Sequence, residues 1–83
     1  MEREAKHLLE SLGYVVTRAA ASKGPWDLIA IHKTHIRLIQ MKANRYPPPF
    51  EIENLKQIQV PENCSVEVWV RKDGCKQYLI TTL

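Results

Sequence analysis

Two apolar runs, Trp26–His32 and Ile36–Ala43, are separated by so few residues that they fit only an antiparallel hairpin. With Lys33-Thr34 as the central turn residues, His32 faces His35 and Asp27 falls opposite Gln40. Alternate strand residues share a face, so Gln40 and Lys42 project together while Ile39 and Met41 project the other way. Asp27, Gln40 and Lys42 then form one polar cluster on strands otherwise built of Leu, Ile and Ala. An acid and an amine in apolar strands are costly to desolvate unless they are paired or bind a metal. Two readings stay open at this point. One is a buried Asp27–Lys42 salt bridge, or strand ends that reach solvent. The other is a functional centre that takes a further ligand from elsewhere in the chain.

The first helix is a source for that ligand. Ala5, Leu8, Leu9 and Leu12 recur at helical spacing over residues 2–12, and Gly13 stops the run. At 100° per residue Glu2 lies on the flank of this apolar face, so Glu2 or Glu4 can look across the sheet edge. The competing reading is that acids at a helix start complement its dipole. Tyr14–Ala19 reads as a strand, followed by a polar loop at Ser22-Lys23-Gly24-Pro25. Pro47-Pro48-Pro49 is a rigid connector. Ile52, Leu55 and Ile58 predict a short helix over Phe50–Gln59, closed by Pro61. Ser65–Lys72 and Cys75–Thr81 flank Asp73-Gly74, a strong hairpin signal that pairs Lys72 with Cys75. The order is α-β-β-β-α-β-β, an α+β fold (α/β in the broader sense) with a mixed sheet flanked by helices. Residues 1–83 are expected to make a single domain.

Composition narrows the classes. A chain of 83 residues buries roughly 60–65% of its unfolded surface, which leaves a thin margin of stability. At 45% hydrophobic and 25% charged residues the chain is expected to fold rather than stay disordered. Its apolar stretches, such as Leu28–Ile31, are far shorter than a membrane span, and no signal peptide is visible. A net charge of +3 tolerates a polyanionic partner without demanding one. In the hairpin register above, Cys64 sits about 26 Å along the strand from the position opposite Cys75, beyond disulfide reach. Both cysteines therefore read as reduced thiols of a cytoplasmic protein. His7, His32 and His35 read as surface residues. Trp69 and Tyr78 read as core, and Trp26 as core or a stacking surface.

The run E-R-x(9)-G-Y-x-V-x-R-A-x-A-S-x(4)-D-L-I-A, followed by the strand I-Q-M-K, resembles the archaeal-type Holliday junction resolvases. These belong to the PD-(D/E)xK, restriction-endonuclease-like, nuclease superfamily. The resemblance covers about residues 2–45, and several spacings agree together: Glu2 to Gly13, Arg18 to Ser22, and Asp27 to Q-x-K. It implies a restriction-endonuclease-like core. The implied activity is metal-dependent, structure-selective endonuclease cleavage that resolves four-way DNA junctions by paired phosphodiester hydrolysis. By this resemblance Glu2, Asp27, Gln40, Lys42 and Ser22 are catalytic positions. Glu2, Asp27 and Gln40 would hold Mg²⁺, or Mn²⁺ in its place, with Lys42 orienting the attacking water or stabilising charge at phosphorus. Arg18, Ser22 and Lys23 would contact DNA phosphates. Paired cuts in a two-fold junction call for a homodimer, and no membrane partner is implied.

Two positions depart from the family's pattern. Gln40 stands where an acidic residue is usual, and its amide oxygen brings no charge to a hard cation. Trp26 replaces the usual small residue or proline before Asp27. The alternatives are a nuclease of the same fold acting on other branched or nicked DNA, a catalytically weakened DNA-binding module, and a small α+β interaction protein.

Overall fold

Helix α1 (Glu2–Ser11) forms because Ala5 and Leu9 stack one turn apart and both become fully buried. Its end is set by Gly13, whose φ of 95° suits glycine. The Gly13 N–H donates to the Glu10 carbonyl and the Tyr14 N–H to the Leu9 carbonyl, the two bonds of a Schellman cap. A Cβ on Gly13 would also approach His32 Nε2 to 3.1 Å, so the same glycine lets the helix end lie against the sheet. A computed structural model describes residues 2–19 and 25–83.

Beyond α1 come β1 (Val15–Arg18), β2 (Leu28–His32), β3 (His35–Ala43), α2 (Pro49–Gln57), β4 (Cys64–Arg71) and β5 (Leu79–Thr82). The five strands form one sheet in the order β1-β2-β3-β4-β5. Strands β1, β2 and β3 are antiparallel neighbours, β3 and β4 are parallel, and β4 and β5 are antiparallel. The parallel step needs a crossover, and α2 supplies it. This is the α+β arrangement expected from the sequence, a mixed sheet with a helix on each face.

The two faces have separate cores. Ala5 and Leu9 of α1 pack on Val16, Leu28, Ala30, Ile39, Met41 and Trp69. Ile52 and Leu55 of α2 pack on Val66, Val68 and Val70, with Trp26 against the edge of that cluster. Strand β3 is the middle strand, so its alternate residues feed opposite layers. Ile39 and Met41 enter the α1 layer, and Gln40 and Lys42 face the α2 side.

One buried acid lies in the α1 layer. Glu67 is 3% exposed and accepts two hydrogen bonds from Arg37 Nε and one from Nη2, at 2.7–3.1 Å. Ser65 Oγ and Trp69 Nε1 donate to the same carboxylate at 2.6 and 2.9 Å. The Arg37 guanidinium lies 5.5 Å from the Tyr14 ring centre and 5.3 Å from that of Trp69. Burial pushes the Glu67 carboxyl up, but the Arg37, Ser65 and Trp69 donors outweigh it, and the net displacement is downward. The hydrogen bond to Glu67 raises Arg37 in turn.

Three details differ from the sequence expectation. Asp73-Gly74 does make a turn, with Gly74 at φ 81° and the Cys75 N–H donating to the Lys72 carbonyl at 3.0 Å. The strands, however, pair as Val70↔Leu79 and Trp69↔Ile80, two residues out from the tight register. Tyr78 leaves the ladder to lie against Trp69, ring centres 5.2 Å apart, and Arg71 Nε holds the Cys75 carbonyl. A slip of two preserves the facing of every side chain, which is why the alternation does not reveal it. Helix α2 starts at Pro49 and ends at Gln57 rather than running to Gln59, since Ile58 is already extended. His32 and His35 are half-buried, not surface residues: His32 lies against the Tyr14 ring and His35 Nε2 is 3.2 Å from Ser65 Oγ. Cys64 and Cys75 are free thiols, as expected. Among the described residues no helix is long and apolar enough to cross a membrane.

Candidate active site

The β2–β3 register is the one the tight turn dictates. His32 pairs with His35 and Leu28 with Ile39, where the paired register ends. The Asp27 N–H donates to the Ile39 carbonyl at 2.9 Å, and Asp27 Oδ2 accepts the Met41 N–H at 2.7 Å. That second bond replaces a ladder bond with a side-chain bond, so the carboxylate is fixed against β3 rather than free to turn. Gln40 and Lys42 face the α2 side beside Val68 and Val70 of β4, while Asp27 stands just before β2 with its side chain tied to the β3 backbone.

The end of β3 is held by the neighbouring loop. Asn44 adopts a left-handed φ of 67°, its N–H donates to the Arg71 carbonyl, and its side chain brackets Asp73. Asn44 Nδ2 donates to Asp73 Oδ2 at 3.2 Å, and the Asp73 N–H returns a bond to Asn44 Oδ1 at 2.8 Å. Asn tolerates this conformation better than most residues. The strand end carrying Lys42 is therefore braced on the β4 side.

Lys42 does not pair with Asp27. Its Nζ lies 3.2 Å from Glu51 Oε2, in a contact where both side chains keep about a third of their exposure. Glu51 reaches β3 because Pro48 is the N-cap of α2, Pro49 starts the helix, and Ile52 and Leu55 clamp it on the β4 valines. Glu51 does not stand out in the sequence. Its one signal was an acid in the first turn of a predicted helix, which reads as ordinary dipole complementarity.

Among the described residues, the buried oxygens Gln40 Oε1 and Glu51 Oε2 have no hydrogen-bond donor. The contact of Glu51 Oε2 with Lys42 is close enough for charge attraction but lacks hydrogen-bond alignment. Buried acceptors of this kind are normally satisfied by a protein donor or by ordered water. Among the described residues no group of three or more His, Cys, Asp or Glu side chains is placed to hold a metal ion.

The remaining predicted positions are placed differently. Glu2 belongs to α1, on the opposite face of the sheet from Gln40 and Lys42, and its Oε1 lies 3.2 Å from Arg18 Nη2. The Glu2–Arg18 pair is at the same end of the sheet as Asp27, because Arg18 pairs with Leu28 and the Ala19 N–H donates to the Asp27 carbonyl. Glu4 pairs with Arg71. Ser22 and Lys23 lie outside the described residues. Trp26 is half-buried against the α2-side cluster.

Residues 1–80 match the archaeal Holliday junction resolvase (Hjc) family. No curated protein and no solved structure matches the chain.

Proposed function

The chain belongs to the archaeal Holliday junction resolvase family, a family of nucleases acting on DNA junctions, and from that premise we propose a divalent-metal-dependent endonuclease that resolves four-way junctions. The observation that supports this reading is Asp27, tied by its side chain to the Met41 N–H between Gln40 and Lys42 of β3, with a buried Gln40 oxygen that has no donor among the described residues. Asp27 and Gln40 would hold Mg²⁺ or Mn²⁺, with Glu2 as the ligand the family pattern adds from the rim. Bound there, the metal supplies Lewis-acid polarisation of a phosphodiester and a lowered pKa for water.

The chain's own residues do the rest. The Met41 N–H fixes one Asp27 oxygen. Lys42 brings a point charge to where negative charge develops on the phosphoryl oxygens, and orients the attacking water by hydrogen bonding. Arg18 is half-exposed at the same sheet end and, with Ser22 and Lys23, contacts backbone phosphates. Such contacts read no bases, so selectivity comes from junction shape and from the spacing of two active sites. A homodimer supplies the pair and cuts two opposing strands.

The test is a labelled four-way junction with and without Mg²⁺. Cleavage that requires the metal and is lost in Asp27→Asn supports the reading. Gln40 in place of an acid favours one second reading, a DNA-binding module that does not cut. Salt-sensitive junction binding with no cleavage in Mg²⁺ or Mn²⁺ would establish that instead.

A further inference from the structure

Lys42 pairs with Val70 across β3 and β4, and Val70 pairs with Leu79 across β4 and β5. Directly paired residues share a face, so the three stand in a row across the α2 side of the sheet. Neighbouring strands are about 4.8 Å apart, which puts Leu79 about 10 Å from Lys42. A cleft of about 310 Å³ opens at that end of the row, lined by Asn44, Tyr46, Val70, Lys72, Leu79 and Thr81. Tyr46 is 47% exposed and Leu79 60%. No acid lines the cleft, and the exposed Lys72 ammonium pairs with no carboxylate among the described residues.

We propose that this cleft is a nucleotide subsite, in which a base unstacked at a DNA branch point lies on the Tyr46 ring against Leu79 while its phosphate meets Lys72. The inference rests on the junction-cutting reading above and adds a base contact to it. An exposed aromatic ring, an exposed aliphatic side chain and an unpaired cation match the two halves of a nucleotide, a flat ring joined to an anion. The volume sits at the lower end of the roughly 300–1,000 Å³ of ligand pockets, enough for one base and too small for a duplex. The cleft is also built rather than incidental. Asn44 donates its N–H to the Arg71 carbonyl and brackets Asp73, which ties the connector carrying Tyr46 to the loop carrying Lys72. Pro47, next to Tyr46, is buried. A stacked strand advances about 3.4 Å per nucleotide, so the cleft lies within about three nucleotides of a phosphate at Lys42. Bases inside a continuous duplex stay stacked, whereas a branch point leaves one free to turn out. Stacking on tyrosine accepts any base, so the subsite favours branched DNA over linear duplex without reading sequence.

Affinities of the intact chain for a four-way junction and for linear duplex, measured by fluorescence anisotropy in EDTA, test this. Tyr46→Ala should weaken junction binding about 10-fold, leave duplex binding unchanged and keep the wild-type melting temperature. Tyr46→Phe retains the ring and should bind as the wild type does. Lys72→Ala should weaken binding and lower the salt slope by about one. The control is Leu12→Ala, an exposed apolar residue beyond the end of α1, which should change neither affinity. Removing bases one at a time around the branch point should locate one whose loss costs the wild type about 10-fold and costs Tyr46→Ala nothing. If the loss at every abasic position adds in full to that of Tyr46→Ala, no base lies on the ring and the proposal is overturned. Junction binding by Tyr46→Ala equal to that of the wild type overturns it too, as does an equal loss on linear duplex. A change of oligomeric state in Tyr46→Ala, seen by sedimentation, would make the cleft a contact between copies of the chain and overturn it as well. Each of these results leaves the junction reading standing. A wild-type chain that binds junctions no better than duplex removes that reading, and the subsite with it.

Discussion

Asp27 Oδ2 and the Met41 N–H are joined by a 2.7 Å hydrogen bond across the β2–β3 pair. The bond ties an acidic side chain of the site to the backbone of a residue whose own side chain is buried in the opposite core. Side-chain chemistry on one face is thereby fixed by packing on the other.

Asp27→Asn keeps an oxygen that can accept the Met41 N–H but removes the charge. The variant should fold with a melting temperature close to that of the wild type and bind junctions, while cleavage falls by about 10²-fold or more. Junction gel shifts run beside a cleavage assay check this. Substantial cutting by the variant would remove Asp27 from the reacting site.

Lys42 is paired to Glu51 in a contact about one-third exposed, where an ion pair contributes roughly 1 kcal/mol or less. Lys42→Ala should therefore cost little in urea denaturation and lose most of its cleavage. A penalty of roughly 3–5 kcal/mol would instead mark a fully buried pair, with structure as its main role.

Gln40 is tested through affinity. Gln40→Glu should lower the Mg²⁺ concentration needed for half-maximal cleavage, since a charged oxygen suits a hard cation better. Gln40→Ala should raise it. Wild-type behaviour of Gln40→Ala at limiting Mg²⁺ would make the residue a bystander.

The Arg37–Glu67 network gives a pH signature. The folded Glu67 carboxyl titrates below its unfolded value, so its stabilising contribution is complete at neutral pH. It is lost as pH falls from about 4.3, the ordinary glutamate value, through the folded one. Urea midpoints should fall more steeply in this acid range for the wild type than for Glu67→Gln. Glu67→Ala, which leaves Arg37 without its partner, should cost about 3–5 kcal/mol at pH 7.

Assembly is the remaining prediction. Sedimentation should give a dimer, and end-labelled junctions should show two cuts related by two-fold symmetry about the branch point. A monomer that cuts linear duplex equally well would leave a nuclease without junction selectivity.

Much of this was legible because it depends on parity and on tight turns. The three residues separating Ile36 from His32 fixed the register that pairs His32 with His35 and Leu28 with Ile39, and alternation put Gln40 and Lys42 on one face of β3. The partner of Lys42 was not legible. Spacing offered Asp27 as the nearest opposite charge, and only the crossover geometry of α2 brings Glu51 to the strand. The last hairpin failed for the reason that made the first succeed. Asp73-Gly74 signals a turn correctly, but aromatic packing of Tyr78 on Trp69 draws two more residues into the connection.

The alternation of β3 between two unlike layers has a consequence for how the chain can change in length. Inserting or deleting a single codon upstream of Gln40 within the strand would exchange Met41 for Lys42 across the sheet, placing an amine in the α1 core and a thioether among the site oxygens. A change of two codons would restore both layers. This stretch of gene can drift by substitution, but its reading length is quantised in pairs.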